Sequence, residues 1–249
     1  MKDVQDNFSG QAGVYAKFRP VAPDELYQFL FDKVPGFDAA WDCGTGNGQA
    51  ANKIAERFKV VYATDISEQQ LNNAIKRDNI IYKVERAEKA SFPDNSFDLI
   101  TVAQAIHWFD FEQFYNEVKR VGKPESIIAV WTYKLLYTNS LIDVILDDFY
   151  SNLLGPYWDK ERKYVDDEYK TIPFPFEEIA TPKFEIKANW QLTNLIGYLN
   201  SWSSVQHYIK KEGVDPVQLY LPKFKEHWND HEIKQITFPL FLRAGRIKK

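Results

Sequence analysis

The chain reads as an α/β protein built on a mostly parallel β-sheet, and three observations carry that reading. Strand-like and helix-like segments alternate between residues 37 and 131. A glycine-rich turn, Gly44-Thr45-Gly46-Asn47-Gly48, joins the first strand to the first helix of that series. The second strand ends on an acidic residue, Asp65. Strands separated by helices at this pitch pair in parallel through right-handed crossovers, with helices covering both faces of the sheet. The 249 residues are 45% hydrophobic and 16% aromatic. That supplies the core of one elaborated domain and excludes global disorder.

Ahead of the sheet, Pro23 suits a first helical position, Asp24 and Glu25 favour a first turn, and Leu26, Phe29 and Leu30 form an apolar face. Residues 37–43 make the first strand, and the helix over 48–58 places Ala51, Ile54, Ala55 and Phe58 on one side. Residues 60–64 form a β-rich run. Ser67-Glu68-Gln69-Gln70 then has capping-box spacing before Leu71, Ala74 and Ile75. Strands over 80–84 and 97–103 follow; Asp110 and Gln113 cap a helix carrying Phe114, Val118 and Val121; residues 127–131 are the fifth strand. After Tyr133 the pattern changes. Leu141, Ile142, Ile145, Leu146, Phe149 and Leu153 line a helix that stops at Gly155-Pro156. Residues 157–182 mix aromatics, charges and prolines without a period, as an irregular lid would. Strands over 184–190 and 233–242, with helical stretches around 195–202, 205–211 and 217–228 between them, complete the sheet.

The net charge is −4. The acidic excess lies in residues 1–133 while 134–249 balance, so neither half offers a field for phosphates. Arg243, Arg246, Lys248 and Lys249 read as a solvated tail, and no nucleic-acid partner is expected. The single cysteine, Cys43, excludes an intramolecular disulfide and a cysteine-based zinc site; with four histidines and no H-E-x-x-H spacing, no metal is expected. The first residues lack an apolar signal core, and the apolar stretch over 127–131 is far short of the ~20 residues of a membrane span. A soluble, cytoplasmic protein without a membrane partner is the expectation.

The glycine turn is the strongest chemical signal. A dinucleotide fingerprint needs G-x-G-x-x-G, but here the glycines stand at 44, 46 and 48, Gln49 occupies the fingerprint's third glycine position, and Asp42 precedes the turn. A nicotinamide oxidoreductase is therefore disfavoured. Glycines let a ligand approach the backbone, and an added carboxylate favours a positively charged group over a pyrophosphate. Asp65 stands where a carboxylate accepts hydrogen bonds from both ribose hydroxyls. The turn suits an amino-acid-bearing nucleoside.

On these residues the chain resembles the class I S-adenosylmethionine-dependent methyltransferases. Asp42, Gly44, Gly46 and Gly48 match the family's glycine motif and Asp65 its ribose-binding acid. Ala87-Glu88-Lys89-Ala90-Ser91-Phe92-Pro93 is similar to the segment lining the adenine, and residues 97–100 to the fourth strand. Tyr15-Ala16-Lys17-Phe18-Arg19-Pro20 and Ala103-Gln104-Ala105-Ile106-His107-Trp108-Phe109-Asp110 are similar to motifs of a small-molecule group that includes trans-aconitate methyltransferases. The resemblance implies a Rossmann-like fold with a seven-stranded sheet, and S-adenosylmethionine held by Tyr15, Arg19, Asp42, Gly44, Gly46, Asp65, Ile66, Ala87, Glu88 and Gln104. It implies a single methyltransferase domain: an N-terminal cap helix over 1–35, a cofactor-binding core over 36–133, an inserted substrate lid over 134–182, and C-terminal strands and helices over 183–249. It is clear over residues 8–133. Residues 134–182 resemble nothing recognisable, and substrate choice is expected there. One departure is Lys123-Pro124-Glu125-Ser126, where many members have Lys-Pro-Gly-Gly; its turn is expected to tolerate non-glycine residues and to lie away from the ligand.

Each residue also has a plainer reading: the glycines as a tight turn, Glu88 as a solvated side chain, Tyr15 and Arg19 as surface packing, Asp110 as a helix cap. His107 either positions a substrate and takes its proton or hydrogen-bonds the backbone, and Trp108 is a pocket wall. Tyr133 and Trp158 are candidate substrate contacts. Tyr157, Phe174 and Phe176 either line that pocket or pack the insert. The segment beginning at Gln104 lacks the Asn/Asp-Pro-Pro-Tyr sequence of many nucleic-acid and protein amino-group methyltransferases. The expected activity is in-line methyl transfer to the carboxylate or hydroxyl oxygen of a small molecule, by a monomer or homodimer. The alternative is a noncatalytic S-adenosylmethionine-binding regulator or interaction module.

Overall fold

The computed structural model describes residues 19–138 and 140–249, so Tyr15 lies outside the described residues. The first described helix, α1 (Asp24–Phe31), precedes the alternating series β1 (Ala39–Cys43), α2 (Gln49–Ile54), β2 (Val60–Asp65), α3 (Glu68–Asn72), β3 (Ile80–Val84), β4 (Phe97–Ala103), α4 (Phe111–Val121) and β5 (Gly122–Tyr133). Beyond it come α5 (Leu141–Asp147), a π-type continuation over Asp148–Leu153, α6 (Arg162–Asp166), β6 (Glu177–Ile179), β7 (Phe184–Trp190), α7 (Leu192–Asn200), α8 (Ser203–Glu212), α9 (Pro216–His227) and β8 (Lys234–Arg246).

The strand order is β3-β2-β1-β4-β5-β8-β6, parallel from β3 to β5 and antiparallel from β5 to β8. The sheet has eight strands where seven are expected. β8 is long enough to pair β7 along Lys234–Leu240 and β6 along Ala244–Arg246, so two short strands share its outer edge. β6 and α6 both arise inside the segment expected to be irregular. Both faces are covered. Ile127, Ala129 and Trp131 of β5 join one apolar cluster with α1, α2 and α7, while Ile128 and Val130 join the other with Phe114, Val118 and Val121 of α4. Two N-caps form: Ser67 Oγ accepts from the Gln70 N–H and Asp110 Oδ1 from that of Gln113. His227 and His231 stand four apart, but α9 ends at His227, so they do not share a helix face.

The basic C-terminal cluster is not a free tail. Arg243 donates to the Tyr169 and Ile172 carbonyls and pairs with Glu178, Arg246 donates to the Glu125 carbonyl, Lys248 pairs with Glu177, and Lys249 donates to Asn95. The Lys123–Ser126 departure lies at the start of β5, at the end of the sheet opposite the glycine turn. Glu125 there keeps a left-handed backbone, φ 64°, the conformation that glycine would adopt most easily.

Lys123 explains part of that sequence. Its ammonium lies 2.9 Å from the Asp98 carboxylate, which is buried and also accepts from the N–H groups of Asp38 and Ala39 at 3.0 and 3.2 Å. The pair ties the starts of β1, β4 and β5 together. Replacing Lys123 by methionine leaves that carboxylate without its cation. It should destabilise the protein by about 2 kcal/mol and lower the thermal midpoint by roughly 4–8 °C, read by calorimetry.

Candidate active site

β1 ends next to both β2 and β4, and the turn after it occupies the head of the crevice between them. Gly44, Gly46 and Gly48 are all left-handed, at φ 66°, 55° and 80°. A Cβ on Gly44 would fall 2.6 Å from that of Ala105, and one on Gly48 would fall 2.2 Å from the Tyr82 hydroxyl, whereas one on Gly46 would meet none of the described residues within 4 Å. The outer glycines are thus required by packing. Gly46 presents its backbone to open space, as a ligand cradle does.

Asp42 behaves differently from the expected direct ligand. It is fully buried, with Oδ1 accepting from Thr101 Oγ1 at 2.7 Å and Oδ2 from Thr45 Oγ1. Burial pushes its pKa up to about 6 against the lowering effect of those hydrogen bonds. Asp42 therefore braces the turn against β4 and contributes its charge from beneath. Asp65 stands at the end of β2, where its carboxylate accepts from the N–H groups of Gly46 and Ser67, both at 2.9 Å. Ile66 beside it is exposed, as a flat platform for a ring would be. Ala87 is buried. Glu88 Oε1 accepts from the Asp110 N–H at 3.0 Å, so this side chain anchors the start of α4 and is not the free carboxylate that its loop position suggests.

Two concavities meet at Arg19 and Gln104. One lies over the turn, lined by Thr45, Gly46, Asn47, Trp131 and Tyr133; the other is lined by His107, Trp108, Trp158, Asp159, Arg162, Trp202 and Ser203. Arg19 donates to Tyr133 Oη at 3.2 Å and to the Ser201 carbonyl at 3.0 Å, which places both predicted residues in one wall. Gln104 is left-handed at φ 57°; its Oε1 accepts from Thr132, and its Nε2 is buried without an acceptor among the described residues. A buried amide without an acceptor at the junction of two cavities is a donor that a carbonyl or carboxylate of a ligand would satisfy. Open Gly46, the Asp65 carboxylate and this amide fit an amino-acid-bearing nucleoside.

His107 is buried, its Nδ1 2.8 Å from the Tyr169 hydroxyl. Trp158 donates from its indole to the Tyr150 carbonyl and stacks under the Arg162 guanidinium at 4.7 Å. Arg162 Nε donates to the Tyr150 hydroxyl at 2.7 Å, and none of the described residues accepts from its Nη atoms. Tyr157, Phe174 and Phe176 do not line this cavity. Tyr157 donates to Glu212 on α8, and the two phenylalanines pack against Tyr115 and Gly245 on the other side of the sheet. Arg162 and Tyr169 carried no sequence signal, because they come from a segment without a motif; Arg162 reaches the cavity through the fold and Tyr169 contacts its His107 wall, while Trp202 joins the wall from the stretch after α7.

Comparison with known proteins agrees with the geometry. A methyltransferase domain family matches residues 41–130. The chain is similar to a Dictyostelium discoideum protein described as a methyltransferase, 35% identical over 95% of this chain and 93% of that one. A solved structure of a type II methyltransferase from Anaeromyxobacter dehalogenans superposes with a TM-score of 0.86 at 37% identity, covering 93% of this chain and 99% of that one. A methyltransferase from Bacillus halodurans, at 21% identity and TM-score 0.52, shares the fold.

The raised pKa of Asp42 has a direction in stability. Its folded value near 6 exceeds the ordinary 3.8, so the folded state holds the proton more tightly, and stability falls as pH rises from about 4 through 6. The loss is about 3 kcal/mol at most. Asp42→Asn should flatten that slope and be more stable than wild type at pH 8, yet bind the cofactor less tightly; thermal unfolding from pH 4 to 8 reads both slopes.

Proposed function

Because the chain belongs to the S-adenosylmethionine-dependent methyltransferases, we propose that it methylates a carboxylate or hydroxyl oxygen of a small molecule held between Trp108, Trp158 and Arg162. The observation that carries this reading is the meeting of two concavities at Arg19 and Gln104, one over the glycine turn and one walled by aromatics and a guanidinium. When bound, S-adenosylmethionine supplies an electrophilic methyl: the acceptor oxygen forms the new bond to carbon as the carbon–sulfur bond breaks, its electron pair leaving on sulfur.

The chain's own residues hold and orient. The turn around Gly46 accepts the ligand backbone, Asp65 takes the ribose hydroxyls, and Ile66 and Ala87 flank the base. Gln104 Nε2 and Arg19 face the amino-acid end. Proximity and alignment lower the barrier by ~7–11 kcal/mol without bond-making by the protein. On the acceptor side Arg162 is held by Tyr150 through Nε and by stacking, and its Nη edge offers the fork geometry that matches a carboxylate. Trp108 and Trp158 exclude water around it.

Two experiments test the reading. S-adenosylhomocysteine at 100 times its dissociation constant should stabilise wild type by ~2.7 kcal/mol, roughly 5–11 °C in the midpoint, and Asp65→Ala should lose most of that shift, while NAD gives none. Among small mono- and dicarboxylic acids and phenols offered as acceptors, Arg162→Met should raise KM for the acids by roughly 10–100-fold and change kcat less, followed by S-adenosylhomocysteine release. Cofactor binding with transfer to no member of the panel would favour a binding regulator instead.

A further inference from the structure

Glu168 and Tyr169 are consecutive non-glycine residues in left-handed backbone, both at φ 60°. Side chains disfavour this conformation, and two in succession persist only where the surroundings over-determine them. Here they do. Arg243, reaching across from β8, donates to the Tyr169 carbonyl at 2.9 Å and the Ile172 carbonyl at 2.7 Å. Lys134, just beyond β5, donates to the Glu168 carboxylate at 2.8 Å, and Lys170 pairs with the same group. The sheet thus clamps a strained turn that sets the Tyr169 side chain: its hydroxyl, on a side chain 1% exposed, lies 2.8 Å from His107 Nδ1.

We propose that Tyr169 is a positioning residue for methyl transfer, donating its phenolic proton to His107 Nδ1 so that the imidazole carries its own proton on Nε2. A phenol is a better donor than acceptor, and a neutral imidazole nitrogen is a strong acceptor, so this direction of the hydrogen bond is favoured; the bond made by one ring nitrogen then sets the state of the other. His107 presents the acceptor with a donor and not with a base. It steadies an oxygen that arrives already ionised, which selects carboxylates over neutral hydroxyls within the proposed function. The inference rests on the reading of the His107 cavity as the acceptor site.

The test reads the tautomer directly. In full-length protein with 15N-labelled histidine, the His107 resonance is assigned by its loss in His107→Gln, and long-range 1H–15N spectra identify the protonated nitrogen. Wild type is expected to show a neutral ring protonated at Nε2, and Tyr169→Phe, which keeps the ring and removes only the hydroxyl, a mixture of both tautomers. A wild-type ring protonated at Nδ1, or an unchanged tautomer in Tyr169→Phe, would overturn the proposal. Should Tyr169→Phe fail to fold, the wild-type spectrum alone decides. The readout needs no acceptor. Failure of every acid to be methylated overturns the proposed function independently of the tautomer.

Discussion

A carboxylate sealed inside the protein holds the site together. Asp42 is the last acidic residue of β1 before the glycine turn, and its two oxygens are shared between Thr45 in the turn and Thr101 on the neighbouring strand β4. Three left-handed glycines in a short span would otherwise leave a turn with many alternative paths. Bonding to both sides of the sheet's switch point selects one, and it leaves Gly46 facing outward. The cost is a buried charge whose proton is held more tightly than in water. Stability is given up for a preorganised turn, as functional sites commonly require.

The rest of the crevice depends on that anchor. Asp65 accepts from the Gly46 amide, so the acid at the end of β2 and the turn are positioned by one another. Gly44 packs its bare Cα against Ala105, which fixes the loop after β4 and with it Gln104 on one side and His107 on the other. The C-terminal ends of β1, β4 and β5 then converge, as the ligand-binding end of an open α/β sheet does. Arg19 closes the arrangement from the N-terminal side through Tyr133 and the Ser201 carbonyl.

The insertion after β5 supplies a second wall beside the crevice over the glycine turn. Its helix α5 and the turn beyond pack Phe149 against Trp202 and Phe224, and Tyr150, Trp158 and Arg162 form a stacked, hydrogen-bonded set. Its far end pairs with the outer edge of β8 as β6. Long aromatic and arginine side chains supply this rigidity because each covers much area while keeping a polar end for a partner.

The sequence alone determined the alternating core, because a buried parallel strand must be continuously apolar and a covering helix must repeat at 3.6 residues, and both patterns are local. It determined the turn at Gly44–Gly48 and the acid at 65 for the same reason: a tight turn and a strand end are specified by neighbouring residues. The partners of Glu88 and Asp42, the Asp110 amide and Thr101, could not be read from the chain. Only the tertiary structure decided that Tyr157, Phe174 and Phe176 turn away from the cavity while Arg162 and Trp202 line it and Tyr169 contacts its His107 wall. Such contacts join residues tens of positions apart through packing on two faces of a sheet, and no periodicity in the chain encodes which face a non-repetitive segment will meet.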